Sequence, residues 1–210
     1  GRSGTWLLDP YSVDIVASGG TGTLSTNQFS SGAGASQINA SVINAALNAS
    51  TGSTNVVIST SGIAGDNLGA GDITVSAPIT KTSGKSATLR LSAHNNVAIN
   101  AAITSTSGAL NLDLVANSDN VNGGVVNFSN VGVSLLGGTI DLGTSHASLA
   151  SGSAISLATI RGTAAQLDVA SGSQATLSSV TLGPGLVTNV NYSSTLVAVN
   201  GLNLDGGTLN

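Results

Sequence analysis

Apolar and polar residues alternate along most of this chain, and over one stretch they do so twice in the same order. Residues 71–79 read Gly-Asp-Ile-Thr-Val-Ser-Ala-Pro-Ile, followed by Thr-Ser-Gly at 82–84 and Ala-Thr-Leu-Arg-Leu-Ser-Ala at 87–93. Residues 96–103 read Asn-Val-Ala-Ile-Asn-Ala-Ala-Ile, followed by Thr-Ser-Gly at 106–108 and Ala-Leu-Asn-Leu-Asp-Leu at 109–114. Ile73, Val75 and Ile79 recur as Val97, Ile99 and Ile103, a shift of 24, and Leu89 and Leu91 recur as Leu112 and Leu114, a shift of 23. Strict alternation predicts strands. Self-similarity at this period predicts a repeat architecture, in which a unit too thin to bury its own apolar face buries it against the next unit.

A second repeat follows at 20 residues. Leu149-Ala-Ser-Gly-Ser aligns with Val169-Ala-Ser-Gly-Ser, Ile155-Ser-Leu157 with Ala175-Thr-Leu177, and Ile160 with Val180. This spacing predicts stacked coils of constant girth, with Val75 over Ile99 and Leu157 over Leu177. The final residues, Asp-Gly-Gly-Thr-Leu-Asn at 205–210, echo Gly-Gly-Thr-Ile-Asp at 137–141. Further strands are expected at Val13 to Ala17, 54–60, 110–114, 125–131, 187–190 and 196–204, with loops at 61–71 and 117–124.

One stretch, 36–49, has helical spacing: Ile38, Val42, Ala45, Ala46 and Ala49 fall on one face and Ser36 stands where an N-cap would. A short helix is expected there, closing or interrupting the coil. The fold expected is therefore all-β, a right-handed parallel β-helix (β-solenoid) with one short helix near residues 36–49. It forms a single segment over 1–210, with irregular first coils, loop and helix in 1–70 and regular coils in 71–210. The right hand is the expectation for parallel crossover connections. Eight or nine coils spaced about 4.8 Å apart predict a rod of ~40 Å. An antiparallel sandwich is the runner-up, disfavoured because its strands would not repeat at a fixed shift. The absence of a capping stretch after the last strand leads to the expectation of a piece of a longer shaft, or else a unit stacking end to end.

Composition fits a thin core with many turns. Of 210 residues, 40% are hydrophobic but only 2% aromatic and 7% charged, with 28 Gly and no Cys or Met. All nine acidic residues are Asp, a turn former, and none is Glu, a helix former. Five basic residues in a chain of net charge −4 cannot form a phosphate-binding stripe, so nucleic acid is not expected as a partner. No apolar run is long enough for a transmembrane helix.

The opening run, Ser-Gly-Thr-Trp-Leu-Leu-Asp-Pro-Tyr at 3–11 with Val13-Asp14-Ile15 after it, resembles a motif of the large haemagglutinin-type exoproteins. These are similar to filamentous haemagglutinin and other cargo of two-partner secretion. Ile-Asn-Ala-Ala-Leu-Asn-Ala at 43–49, residues 54–60 and the two phrases beginning at Gly71 and Asn96 resemble the same group, which covers about the first 115 residues. The resemblance implies a β-solenoid exported through an outer-membrane partner and displayed outside a bacterial cell.

Residues that could carry chemistry are few. His94 and His146 lie 52 apart with no Cys or His-x-x-x-His spacing, so no zinc site is expected. Trp6 is read as packing over an apolar edge. Asp66, Asp72, Asp113, Asp119, Asp141, Asp168 and Asp205 are scattered singly, Asp72 being read as a turn residue. Stacked coils would bring Asp113 and Asp141 near each other, but a polysaccharide-cleaving enzyme needs paired carboxylates with Arg or Lys on one face. Gly137-Gly138-Thr-Ile-Asp141 and Asp205-Gly-Gly207 fall short of the calcium nonapeptide, and no Gly-Lys-Ser/Thr loop is present. Thr21, Thr23, Thr104 and Thr106 do not hold one outward column as an ice-binding face requires. The expectation is thus a non-enzymatic, secreted structural shaft of a bacterial surface adhesin, with no catalytic or metal residues and no cofactor. The alternatives are a self-assembling extracellular filament joined through solenoid ends, and a carbohydrate-binding or carbohydrate-cleaving β-helix. The partners expected are the secretion barrel and a host or matrix carbohydrate or protein.

Overall fold

The computed structural model describes residues 12–25, 28–30, 36–49, 53–60, 71–118, 120 and 123–210. The opening motif with Trp6, the loop at 61–70 with Asp66, and Asp119 lie outside these residues. The chain is a β-solenoid of about eight coils, nearly all β. The antiparallel sandwich is excluded: every strand pairing among the described residues is parallel, except that of Thr23–Ser25 with Gln28–Ser30.

Each regular coil has three sides. The first face is a nine-stranded sheet running from Ser36–Asn39 through Val13–Val16, Ile73–Val75, Val97–Ile99, Val125–Phe128, His146–Leu149, Ala165–Val169 and Leu186–Val190 to Thr208–Leu209. The second face stacks Ile79–Lys81, Ile103–Ser105 and the first halves of four long strands, Gly132–Asp141, Ala154–Arg161, Gln174–Leu182 and Thr195–Leu204. The third stacks Thr54–Ser59, Ala87–Ser92, Leu110–Val115 and the second halves of those long strands.

The first repeat is realised as read. Ile73, Val75 and Ile79 sit beside Val97, Ile99 and Ile103, and Leu89 and Leu91 beside Leu112 and Leu114. Inward columns continue through the coils. On the third face one such column is Val56, Leu89, Leu112, Ile140, Ile160 and Leu182, each nearly sealed from solvent. Alternation along each strand sends one set of side chains inward and the other out, so a stack of such strands makes a continuous aliphatic core.

The second repeat needs correction. Leu149 does pair with Val169, a shift of 20, but the neighbour of Leu177 is Ile155 and that of Leu182 is Ile160, a shift of 22. Leu157 does not stack on Leu177; it is 43% exposed at φ 51°. It occupies the corner between the second and third faces, where a left-handed residue reverses which face of the ribbon points inward. Leu136, Ser179 and Asn200 hold the same corner in neighbouring coils, with φ of 52°, 53° and 54°. In the earlier coil the corner is the longer segment 106–109, with Gly108 at φ 68°. Girth is therefore not constant. The echo of 137–141 at 205–210 is also not structural: Gly138–Asp141 belongs to the third face and Thr208–Leu209 to the first.

The helix is shorter than expected, Ala40–Leu47, because Ser36–Asn39 is a strand. Its N-cap is Asn39 rather than Ser36, and no side chain caps it. It buries Ala40, Ile43 and Leu47, while Ala45 faces solvent. Its asparagines have a purpose that helix propensity misses. Asn44 Oδ1 accepts the Thr80 amide at 2.9 Å, Asn48 Nδ2 donates to the Thr80 carbonyl at 3.2 Å, and Asn48 Oδ1 accepts the Thr82 and Ser83 amides at 2.7 and 2.8 Å. These two amides, one helical turn apart, supply to the outermost strand of the second face the bonds a neighbouring strand would have made. The other faces are covered at the same end. Gly20 and Gly22 bond to Asn39 and Gln37 of the outermost first-face strand. The antiparallel pair Thr23–Ser25 and Gln28–Ser30 adjoins Thr54–Ser59.

Two substitutions test this packing. A Cβ on Gly138 would lie 1.9 Å from the Leu110 carbonyl oxygen, so Gly138→Ala is expected to destabilise the chain by about 1–3 kcal/mol in urea unfolding. Thr188 stands in an inward column beside Leu167, fully buried, with its hydroxyl unpaired. Thr188→Val keeps the shape and removes the unpaired oxygen, so it should stabilise by about 1 kcal/mol in the same measurement.

Candidate functional site

Among the described residues, the outward columns gather several charged and polar side chains. On the third face, Arg90, Asp113, Asp141 and Arg161 occupy one register position in four successive coils. Asp113 and Asp141 are thus neighbours, as stacking predicted. Each is tied to the arginine on its far side: Arg90 Nη1 bonds Asp113 Oδ2, and Arg161 Nη2 lies 3.0 Å from Asp141 Oδ2. Asp141 Oδ1 also accepts the Gly143 amide at 3.0 Å, an Asx turn that begins the next corner. The step of 23 from Arg90 to Asp113 is the repeat's own shift, but the next two, 28 and 20, follow no period, so only the register reveals the whole column.

Two residues earlier on the same strands runs a second outward column: Asn55, Thr88, Asn111, Thr139, Thr159, Thr181 and Asn203. The link from Asn111 to Thr139 follows from the adjacent pairing of Leu112 with Ile140. Between these strands the ladder is short, holding only Leu112 with Ile140 and Asp113 with Asp141, and the Thr139 amide bonds the Asn111 side-chain oxygen at 3.0 Å. A groove of 340 Å³ opens there, lined by Thr88, Asn111, Leu112, Asp113, Thr139, Asp141 and Arg161. The Thr column was missed in the sequence because its members follow no single period. The column beside it is charged, so the flat double row of Thr that an ice-binding face requires is not formed here.

A second polar cluster lies on the first face. His146 is in a strand and faces outward, where its Nε2 is 2.9 Å from Asp168 Oδ2. Gln166 Nε2 donates to both Asp168 oxygens at 2.9 and 3.0 Å, and Asn189 Nδ2 donates to Oδ1 at 2.8 Å. The Asp168 side chain is only 13% exposed. Burial alone would raise its pKa, but the bonds from Asn189, Gln166 and His146 prevail and hold it below the ordinary 3.8. Three coils are stapled by one carboxylate.

Asp72 behaves as a strand-entry residue: its Oδ1 accepts both the amide and the side-chain Nδ2 of Asn96, and Asn96 Oδ1 accepts the Val125 amide. His94 lies in the turn between the third and first faces, its amide bonded to Thr60 Oγ1. Thr104 joins Thr80, Ser134, Ser156 and Ser178 in an outward column of the second face. Lys81 is a surprise: it points inward beside Ser105 and is fully buried. Its ammonium donates to the carbonyls of Ser83 and Ser107, each at 2.6 Å, pinning two stacked corners together. Desolvation pulls its pKa below the usual 10.5.

Among the described residues, no three His, Asp, Glu or Cys side chains converge as metal ligands do. No helix among them is long and apolar enough to cross a membrane. No known protein family matches the chain, and neither does any curated protein or solved structure.

The Asp168 staple predicts a pH dependence. A carboxylate whose folded pKa is depressed contributes its stability above 3.8 and loses it as pH falls through the folded value. Asp168→Asn should therefore cost about 1–3 kcal/mol at pH 7, and less of that difference should remain once the wild-type carboxylate is protonated. Urea midpoints at pH 7 and at acid pH check this.

Proposed function

We propose that this chain is a non-enzymatic structural shaft segment of a secreted bacterial surface adhesin or exoprotein. The observation that carries the reading is the stacking of inward aliphatic side chains coil upon coil, as in the column from Val56 to Leu182. Such a core gives length and stiffness from small residues, and every coil repeats the same hydrogen-bonding task. Support for the surface location comes from the resemblance of the first 115 residues to the filamentous haemagglutinin-type exoproteins, which also implies an outer-membrane secretion partner. Polar, uncharged Ser, Thr and Asn columns on the outside suit a hydrated shaft.

Self-assembly by end-to-end stacking is the weaker reading. At the end formed by the first residues, the edges of all three faces already have partners: Gly20–Gly22, the helix and the antiparallel pair. An incoming coil would have to displace them.

Immunogold labelling of the producing cells with an antibody to this segment tests the shaft. Gold at a set distance outside the outer membrane is expected; gold confined to the cytoplasm would overturn the reading.

A further inference from the structure

The groove on the third face is more than a gap between strands. It opens where the ladder between Leu110–Val115 and Gly132–Asp141 is reduced to two paired rungs, and an asparagine side chain takes over a backbone bond. Within it, several polar groups have no partner among the described residues: the hydroxyls of Thr88 and Thr139, the Asn111 side-chain nitrogen and Asp113 Oδ1. These groups are held outward by strands whose other side chains are locked in the core, so they are placed before any ligand arrives.

The charge pattern narrows the ligand. Arg90, Asp113, Asp141 and Arg161 form two ion pairs whose formal charges cancel. A free cation drawn to the two carboxylates meets an arginine on either side, and a free anion drawn to the arginines meets the carboxylates. A neutral molecule rich in hydroxyl groups meets no such opposition: each hydroxyl donates to a carboxylate or threonine oxygen and accepts from arginine or the asparagine amide. The only apolar lining residue, Leu112, is buried and turned to the core, so every side chain that reaches out into the groove carries a polar group. Beyond the groove, the Thr/Asn column runs on in both directions along the solenoid axis, one residue per coil from Asn55 to Asn203. Rungs spaced about 4.8 Å apart are close to the advance of one ring in an extended sugar chain.

We infer that the third face binds an uncharged, extended polysaccharide lying along the solenoid axis, centred on the groove between Thr88 and Asp141. The site needs no chemistry on the sugar and is independent of whether the chain is a shaft.

Native gel electrophoresis of the full chain through gels containing neutral β-glucan, xylan or galactomannan tests this, with polygalacturonate and chitosan as charged comparisons. Retardation by at least one neutral polymer is expected. The double variant Thr88→Val, Thr139→Val removes two hydroxyls with little change of shape and should weaken retardation about tenfold or more. Ser134→Ala with Ser156→Ala, on the second face, should leave it unchanged. Absence of retardation by every neutral polymer, retardation by the charged ones alone, or full retention in the Thr double variant would overturn the proposal. If the Thr variant unfolds by circular dichroism, amide chemical shifts of the wild type decide the matter on addition of a hexasaccharide of the retarding polymer. Shifts centred on residues 88, 111, 113, 139 and 161 support the site, and shifts confined to the other faces sink it.

Discussion

Every level of this molecule depends on one constraint: a residue in one coil must fit directly between its counterparts in the coils above and below. Parallel ladders hold neighbouring backbones about 4.8 Å apart, which leaves room for one side chain per rung and no more. Aliphatic residues of similar girth satisfy this, as in the column Val56, Leu89, Leu112, Ile140, Ile160 and Leu182. The one aromatic residue in the described core, Phe128, stacks between Ile99 and Leu149. The abundance of Ala, Val, Ile and Leu suits this geometry.

Corners are where the constraint relaxes and where the polar exceptions collect. A single left-handed residue, Leu157 or Ser179, turns the strand from the second face to the third, while an earlier coil spends four residues on the same bend. The inward lysine belongs to this region: its ammonium satisfies carbonyls from two stacked turns that have no strand partner. The same principle acts at the end, where Asn44 and Asn48 lend side-chain amides to a strand that would otherwise present a bare edge.

Outside, the same stacking collects residues that look isolated in the chain. Arg90, Asp113, Asp141 and Arg161 become a column in which like charges adjoin but each has an opposite partner. Asp168 becomes the centre of a staple across three coils. Of these, the approach of Asp113 to Asp141 was legible beforehand: each directly follows an inward aliphatic residue of its strand, Leu112 or Ile140. Arg90 stands at the repeat's own shift of 23 from Asp113, but Arg161, the full Thr/Asn column and the His146–Asp168 contact were not legible, since insertions in the corners break any fixed period that would link them.

Alternation and the repeat at 24 and 23 were enough to establish strands, parallel stacking and the pairing of Val75 with Ile99, because side-chain direction in a strand is set locally and a repeated phrase can bury itself only against its own copy. The helix was legible as well, though not its start. What only the tertiary structure decided was register across the corners. Ile155-Ser-Leu157 read as a continuous strand pattern, yet the left-handed bend at Leu157 put that leucine outside and Ile155 beside Leu177. A bend of one residue changes the inward parity of everything after it, and hydrophobic alternation does not mark which residue bends.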